Sequence, residues 1–190
     1  PRQEAPQRLF DPESEDPLER MMAQHRLLFV SSAPETKNKV HKREAQFIAR
    51  AAQLIAHRIG PILAPNHIGI ITPYRAQIAE IYAQLPIQLK EMVSIDTVER
   101  YQGSERDVIL VSLAVNNQYQ LQHLQSLTLD GVVDRKLNVA LTRAREHLVV
   151  VGTRELLETN YHYRLLIDWC LQRGACLDLE TLKTTHAALQ

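Results

Sequence analysis

Cysteine is nearly absent: Cys170 and Cys176 are the two in 190 residues, and neither has metal-ligand spacing to a histidine. That excludes a disulfide framework and points to free thiols in a reducing compartment. Neither sign of charge is in excess, since 22 Lys and Arg balance 22 Asp and Glu. A bulk electrostatic footprint for nucleic acid is therefore missing, and any such contact must be a local patch or an intermolecular cleft. Aromatic residues make up 5% of the chain, too few for extensive base readout. No apolar run approaches the roughly 18 residues that cross a membrane, and no signal peptide opens the chain. This matches an expectation of a cytoplasmic or nucleoid-associated protein without a membrane partner. The first residue is Pro1 rather than Met, as expected of a piece of something longer.

Several chemical signatures are also missing. No GxxxxGK[ST] phosphate loop occurs, so the chain cannot cradle a nucleoside triphosphate by itself in the usual way. No apolar strand ends in a pair of acids suited to magnesium. The eight histidines are scattered without HExxH or Cys/His spacing, so no metal site is expected. Ser31, Ser32 and Cys170 lack a nucleophile context, which removes support for hydrolase triads.

What is present alternates. Residues 27–31 (LLFVS), 68–72 (IGIIT), 92–96 (MVSID) and 108–113 (VILVSL) read as buried strands. Between the first two, Val40, Ala45, Ile48, Ala52, Ile55 and Ile59 recur at helical spacing after Asn38. Gly60 and Pro61 stop that helix. Pro73 suits the first turn of a second helix, with Thr72 as its cap. Strands alternating with helices predict an α/β fold, a three-layer parallel sheet with helices on both faces. Residues 1–24, rich in Pro and charge, read as an arm or linker with a short helix near Leu18–Met22. Residues 25–174 form the domain and 175–190 a weakly patterned tail. The Gln- and Leu-rich segment 116–134 has no assigned structure, and a loop that long is usually functional or disordered. It is a segment that could order when a strand or partner arrives. Residues 163–171 (YRLLIDWCL) should form an amphipathic helix ending near Gly174.

The chain is organised around residues 137–152 (LNVALTRAREHLVVVG). Leu137, Ala140, Leu141 and Ala144 can line one helical stripe, and 148–151 is an apolar strand. Arg143 and Arg145 then fall on the last turn of a helix pinned to a sheet, a rigid mount for a charge that meets a phosphate. In parallel sheets ligands gather beyond the strands' carboxyl ends. Residues 72–77 (TPYRAQ), 96–107 (DTVERYQGSERD), the loop after Leu113 and the helix start at Thr153 are placed there. The second of these brings Thr97, Gln102, Gly103, Ser104, Glu105 and Arg106 together. Gly103 permits close backbone approach, and the short polar residues can bond phosphate or sugar oxygens.

Three segments, IGIITPYRAQ, VSIDTVERYQGSERDVILVS and RKLNVALTRAREHLVVVG, together resemble the second RecA-like lobe of superfamily 1 helicases. The branch is the one that includes the nonsense-decay and Okazaki-processing helicases. The last two segments resemble its motifs V and VI, and NKVHKREAQFIARAAQLI resembles the lobe's first long helix. The likeness runs from about Leu27 to Gly152 in the same order and spacing.

The resemblance implies a set of roles. Arg143 is the arginine finger, reaching the γ-phosphate of ATP, which with Mg²⁺ is held mainly by an absent first lobe. Glu105 accepts from ribose hydroxyls, Gly103 lets its loop approach, and Gln102 links nucleotide and strand. Thr72, Pro73, Tyr74, Gln77 and Thr97 lie on the single-strand track. Arg145 either supports Arg143 or forms a structural ion pair. Glu99 and Arg100 depart from the small or acidic residues usual after the Thr-Val pair. The Gln-Tyr-Arg motif that usually begins the lobe is not seen. The implied partners are single-stranded nucleic acid, with DNA favoured over RNA, and the N-terminal lobe of the same protein. The implied activity is ATP-dependent 5′–3′ translocation, inactive in this chain alone. The alternative is a non-catalytic docking module derived from such a lobe. A flavodoxin-like binder would need a Gly-rich first turn, and SSAPETKN offers none.

Overall fold

The structure is a computed structural model that describes residues 9–35, 39–101 and 105–182. Six strands form one sheet, all paired in parallel. They are β1 (Leu27–Ser32), β2 (Ile68–Ile71), β3 (Val93–Asp96), β4 (Arg106–Ser112), β5 (Ala144–Thr153) and β6 (Cys176–Asp178), in the spatial order β3-β2-β4-β5-β1-β6. The central strands are runs of Ile, Leu and Val buried on both faces, as a sheet covered twice requires.

Helices α1 (Pro17–Gln24), α2 (Lys42–Ile59) and α3 (Arg75–Gln84) lie on one side. The apolar stripe of α2 (Ala45, Ile48, Ala52, Ile55) is fully buried, and Gly60 ends the helix at φ 65°. The described residues before α2 include His41 at its N-cap, whose Nδ1 accepts from the Glu44 amide at 3.2 Å. The expected start at Asn38 lies outside the described residues. Helices α4 (Gln118–Leu124), α5 (Arg135–Leu141), α6 (Arg154–Leu157) and α7 (Tyr161–Gln172) follow in the second half. Side chains alternate along β4. Ser112 meets Glu44 of α2, while Val111 and Leu113 turn to the other face and meet Leu124, Leu137, Ala140 and Tyr163. The sheet thus lies between two helical layers.

Several expectations change. The described part of the N-terminal arm belongs to the domain, because Phe10, Leu18 and Met22 are buried. Helix α1 is tied to α2 by Arg50–Asp16 at 2.7 Å and Arg58–Glu19 at 2.6 Å. The tail contributes β6, which pairs with β1, and buries Leu179 and Leu182. Segment 116–134 holds α4, capped by Asn117. A turn closed by an antiparallel Leu127–Asp134 bridge follows it. Asp134 then caps α5, accepting from the amides of Lys136 and Leu137 at 3.0 and 3.2 Å.

Thr72 does not cap a helix. Its amide donates to the Asp96 carbonyl at 3.2 Å, which continues the β2–β3 ladder, and α3 begins only after Tyr74. Arg143 and Arg145 are not on a helix either. Helix α5 stops at Leu141, Arg143 sits in the turn that follows, and Arg145 is the second residue of β5. The strand starts before its apolar run because Ala144 pairs with Arg106 of β4, so the ladder recruits polar residues that periodicity assigns elsewhere.

Candidate functional site

The expected site residues fall at two opposite edges of the sheet. A seven-residue strand such as β4 is about 23 Å long at roughly 3.3 Å per residue. Glu105, Arg143 and Arg145 lie at the amino ends of β4 and β5, whereas Thr72, Pro73, Tyr74 and Thr97 lie at the carboxyl ends of β2 and β3. The segment 96–107 does not lie wholly at the carboxyl edge, where the sequence pattern puts it. It begins there and crosses to the amino edge, as a connection between parallel strands must. Gln102 and Gly103 lie outside the described residues.

At the amino edge Arg143 is half-buried, and its carbonyl accepts from the Arg106 amide at 3.0 Å, which fixes the turn to the sheet. Its Nη2 donates to Thr142 Oγ1 at 3.2 Å, but its Nε is buried and has no hydrogen-bond partner among the described residues. A buried guanidinium donor left open is costly unless an acceptor arrives, and a phosphate oxygen is the acceptor that its fork geometry suits best. Arg145 is committed differently, pairing with Glu105 at 3.3 Å and Asp107 at 3.5 Å. Of its two open readings, the ion pair is the one formed here. The Glu105 carboxylate is about half exposed and offers acceptor capacity to a hydroxyl-bearing ligand. Among the described residues no group of three His, Cys, Asp or Glu could hold a metal ion.

At the carboxyl edge the turn after β2 is closely held. Thr72 is fully buried, and its Oγ1 has no partner among the described residues. The Tyr74 hydroxyl donates to the Gln120 carbonyl at 3.2 Å, and burial pushes its pKa up to about 12, so it stays a donor. Thr97 is half-buried and starts a turn in which its carbonyl accepts from the Arg100 and Tyr101 amides, both at 3.1 Å. Glu99 and Arg100, the two departures from the family pattern, form ion pairs with Lys136 at 3.0 Å and Asp96 at 3.9 Å.

Gln77 does not belong to a strand-facing surface. It is fully buried on α3, where its Oε1 accepts from the His41 amide at 2.8 Å. Its Nε2 donates to the His41 carbonyl and to Ser112 Oγ, each at 3.0 Å. It joins a buried cluster around Glu44 that sequence reasoning missed. Glu44 Oε2 accepts from Ser112 Oγ at 2.7 Å and from the Ala114 amide at 2.9 Å, and Oε1 accepts from Ser32 Oγ at 3.0 Å. Burial pushes the Glu44 carboxyl pKa up, against these hydrogen bonds and the nearby His41. The cluster locks together the carboxyl ends of β1 and β4 and the starts of α2 and α3. A signal was present: Glu44 precedes Ile48 by four positions, on the buried stripe of α2, and Ser32 and Ser112 each end an apolar strand.

A family model described as an AAA domain matches residues 7–155. The putative helicase MOV-10 of Gallus gallus is 35% identical over 141 residues, covering 68% of this chain and 14% of that protein. The DNA polymerase alpha-associated DNA helicase A of Saccharomyces cerevisiae is 38% identical over 109 residues, 55% of this chain and 15% of that protein. Helicase sen1 of Schizosaccharomyces pombe is 28% identical over 158 residues, 79% of this chain and 9% of that protein. The chain therefore spans a small fraction of the length of these relatives.

Proposed function

Because the chain belongs to the AAA-domain family, as a C-terminal lobe of superfamily 1 helicases, we propose that it supplies the arginine finger and part of the single-strand track of an ATP-dependent translocase. The observation that carries this reading is Arg143, whose Nε is buried and without a partner among the described residues, in a turn bonded to the sheet. The donors present suit half a nucleotide site. Arg143 fits a phosphate oxygen and Glu105 fits ribose hydroxyls, while triphosphate and Mg²⁺ need a phosphate-loop lobe for most of their contacts. Bound Mg²⁺ would neutralise charge across the phosphates. The part of this chain is to bring a guanidinium to the charge that grows on the transferring phosphoryl group, an effect of about 10³ to 10⁵ in rate for such fingers.

Finger and phosphate loop would sit on separate lobes, so hydrolysis requires closure of the cleft between them. Closure would carry the turns at Thr72–Tyr74 and Thr97 along with the finger, which couples hydrolysis to stepping on the strand. Contacts through hydroxyls and backbone amides are independent of sequence, in keeping with a neutral chain poor in aromatics. DNA is the track we favour, since the Saccharomyces cerevisiae relative at 38% identity carries DNA in its name. The 5′–3′ direction follows the family resemblance.

The test is strand-stimulated ATP turnover of the full-length helicase, wild type against Arg143→Ala, with nucleotide affinity measured alongside. A fall of at least about a hundredfold with binding mostly kept is expected of a transition-state contact. Near-normal turnover would reduce Arg143 to a structural charge, and no turnover in either form would favour a docking platform. The chain alone is expected to hydrolyse no ATP.

A further inference from the structure

We infer that Arg106 is a positioning residue that holds the Arg143 turn and the Glu105 loop end at a fixed separation; this rests on the nucleotide-site reading above. Arg106 is the first residue of β4 and lies between the two groups that would meet the nucleotide. Its amide donates to the Arg143 carbonyl at 3.0 Å. Its Nη1 donates to the Glu105 carbonyl at 2.8 Å, and its Nε to Ser94 Oγ on β3 at 3.1 Å. The guanidinium carbon lies 5.7 Å from the centroid of the Tyr101 ring.

Tyr101 is itself fixed. It is buried, and its hydroxyl donates to the Ser94 carbonyl at 3.1 Å and also meets the Ser94 hydroxyl. It fits because Gly69 on the adjoining strand has no side chain. A Cβ there would lie 2.5 Å from the Tyr101 hydroxyl, 2.7 Å from Ile109 Cδ1 and 2.8 Å from Arg106 Cγ. One half-buried guanidinium thus joins the sheet, the base of the 97–105 connection and, through its own backbone, the finger turn. The ladder is irregular at this point, with a register shift between Arg106 and Val108 opposite β5. Such bulges redirect side chains beside functional sites. A planar fork with several donors is the side chain best able to serve this many fixed acceptors at once.

A strand-opening arginine that only packs on a tyrosine would also make some of these contacts, so the test must separate position from stability. In the full-length helicase, Arg106→Ala deletes the side-chain bonds and keeps the amide bond to Arg143. It is expected to lower kcat about tenfold and raise KM for ATP severalfold, with strand affinity unchanged. Arg106→Lys keeps a cation over the ring and one donor, and should recover part of the loss. Placed on Arg143→Ala, Arg106→Ala should lower kcat by less than about twofold, because the group it positions is gone. A loss just as large in that background would overturn the inference and leave the finger intact. A loss that vanishes when the assay is run well below the melting temperature would also overturn it. Turnover of Arg143→Ala near that of wild type would overturn the finger reading and the brace together.

Discussion

At the carboxyl edge of the sheet, Glu44 is buried completely and accepts from Ser32, Ser112 and the Ala114 amide. At the amino edge, Arg145 pairs with Glu105 and Asp107 through side chains that are 50%, 53% and 30% exposed. Both edges gather charge from several elements, but water treats them differently. A buried network is costly to cut, because each orphaned donor loses about 1–3 kcal/mol of hydration it cannot recover. An exposed pair is worth about 0–1 kcal/mol, since water replaces either partner. The carboxyl-edge turns are therefore held as one rigid unit. On the proposed nucleotide-site reading, the amino-edge charges would change partners when a phosphate or a ribose arrives, while the backbone ladder beneath them stays in place.

The strongest test of that contrast is at Glu44. Replacement by alanine leaves two serine hydroxyls and a backbone amide without their acceptor, and should cost about 3 kcal/mol or more. Replacement by glutamine keeps the shape and the oxygen that serves Ser112 and Ala114, and the Ser32 hydroxyl can rotate to accept from the new amide. That variant should lose only about 1 kcal/mol. Denaturant midpoints measure both. Equal losses in the two variants would mean that packing, not hydrogen bonding, ties this edge together.

Gly69 comes next and links the contrast to the amino edge. The clashes around an added Cβ involve Tyr101, Ile109 and Arg106 together, so no single side chain can step aside. Gly69→Ala is expected to destabilise by about 1–3 kcal/mol, the usual cost of overpacking. It should also raise KM for ATP by displacing the Tyr101–Arg106 contact. An unchanged denaturant midpoint would show that the ring has room to move.

Two buried carboxylates give opposite pH slopes. Burial raises the Glu44 pKa, so above the unfolded carboxylate range the fold holds more proton than the unfolded chain. The contribution of Glu44 to stability then falls as pH rises through its shifted value. At Glu19 burial acts in the same direction, but hydrogen bonds from the Asp11 amide, Ser14 and Arg58 outweigh it and lower the pKa. Its contribution is present above the unfolded value and is lost as pH falls through the lowered one. The advantage of wild type over Glu44→Gln should shrink as pH rises above the usual carboxylate range, while that over Glu19→Gln should shrink as pH falls below it. Parallel pH curves for wild type and Glu44→Gln would contradict the raised pKa.

The contrast also explains what could be read from the sequence. β1, β2 and the core of β5 are legible because a doubly covered strand needs an unbroken apolar run, and α2 because its stripe keeps the helical period. The first residues of β5 (AREH) are mostly polar and become strand only because β4 lies beside them, and β6 depends in the same way on β1. Arg143 stands out as a candidate through its motif. Its place in a turn does not, since Ala144 extends the helical stripe past Thr142. Gln77 was misassigned because it sits beside the Thr72–Tyr74 turn in sequence, while α3 rotates it inward to His41 and Ser112. Burial of a polar side chain is a tertiary fact, and a stretch such as TPYRAQ does not encode it locally.

The smallest effect should come from Arg145. Arg145→Ala removes two exposed ion pairs and leaves Glu105 and Asp107 free to be hydrated. The melting midpoint should therefore report a loss of no more than about 1 kcal/mol. What loss there is should fade in about 1 M salt, where the Debye length drops to about 3 Å, while the loss from Glu44→Ala should persist because salt does not enter that cluster. Asp107 also lies 3.6 Å from His67, so it keeps a neighbour when Arg145 is gone. A salt-resistant loss of several kcal/mol at Arg145 would mean that water is excluded from the amino edge as well. The two edges would then be equally rigid, and the freedom of Glu105 to turn from Arg145 to a ribose would have no physical basis.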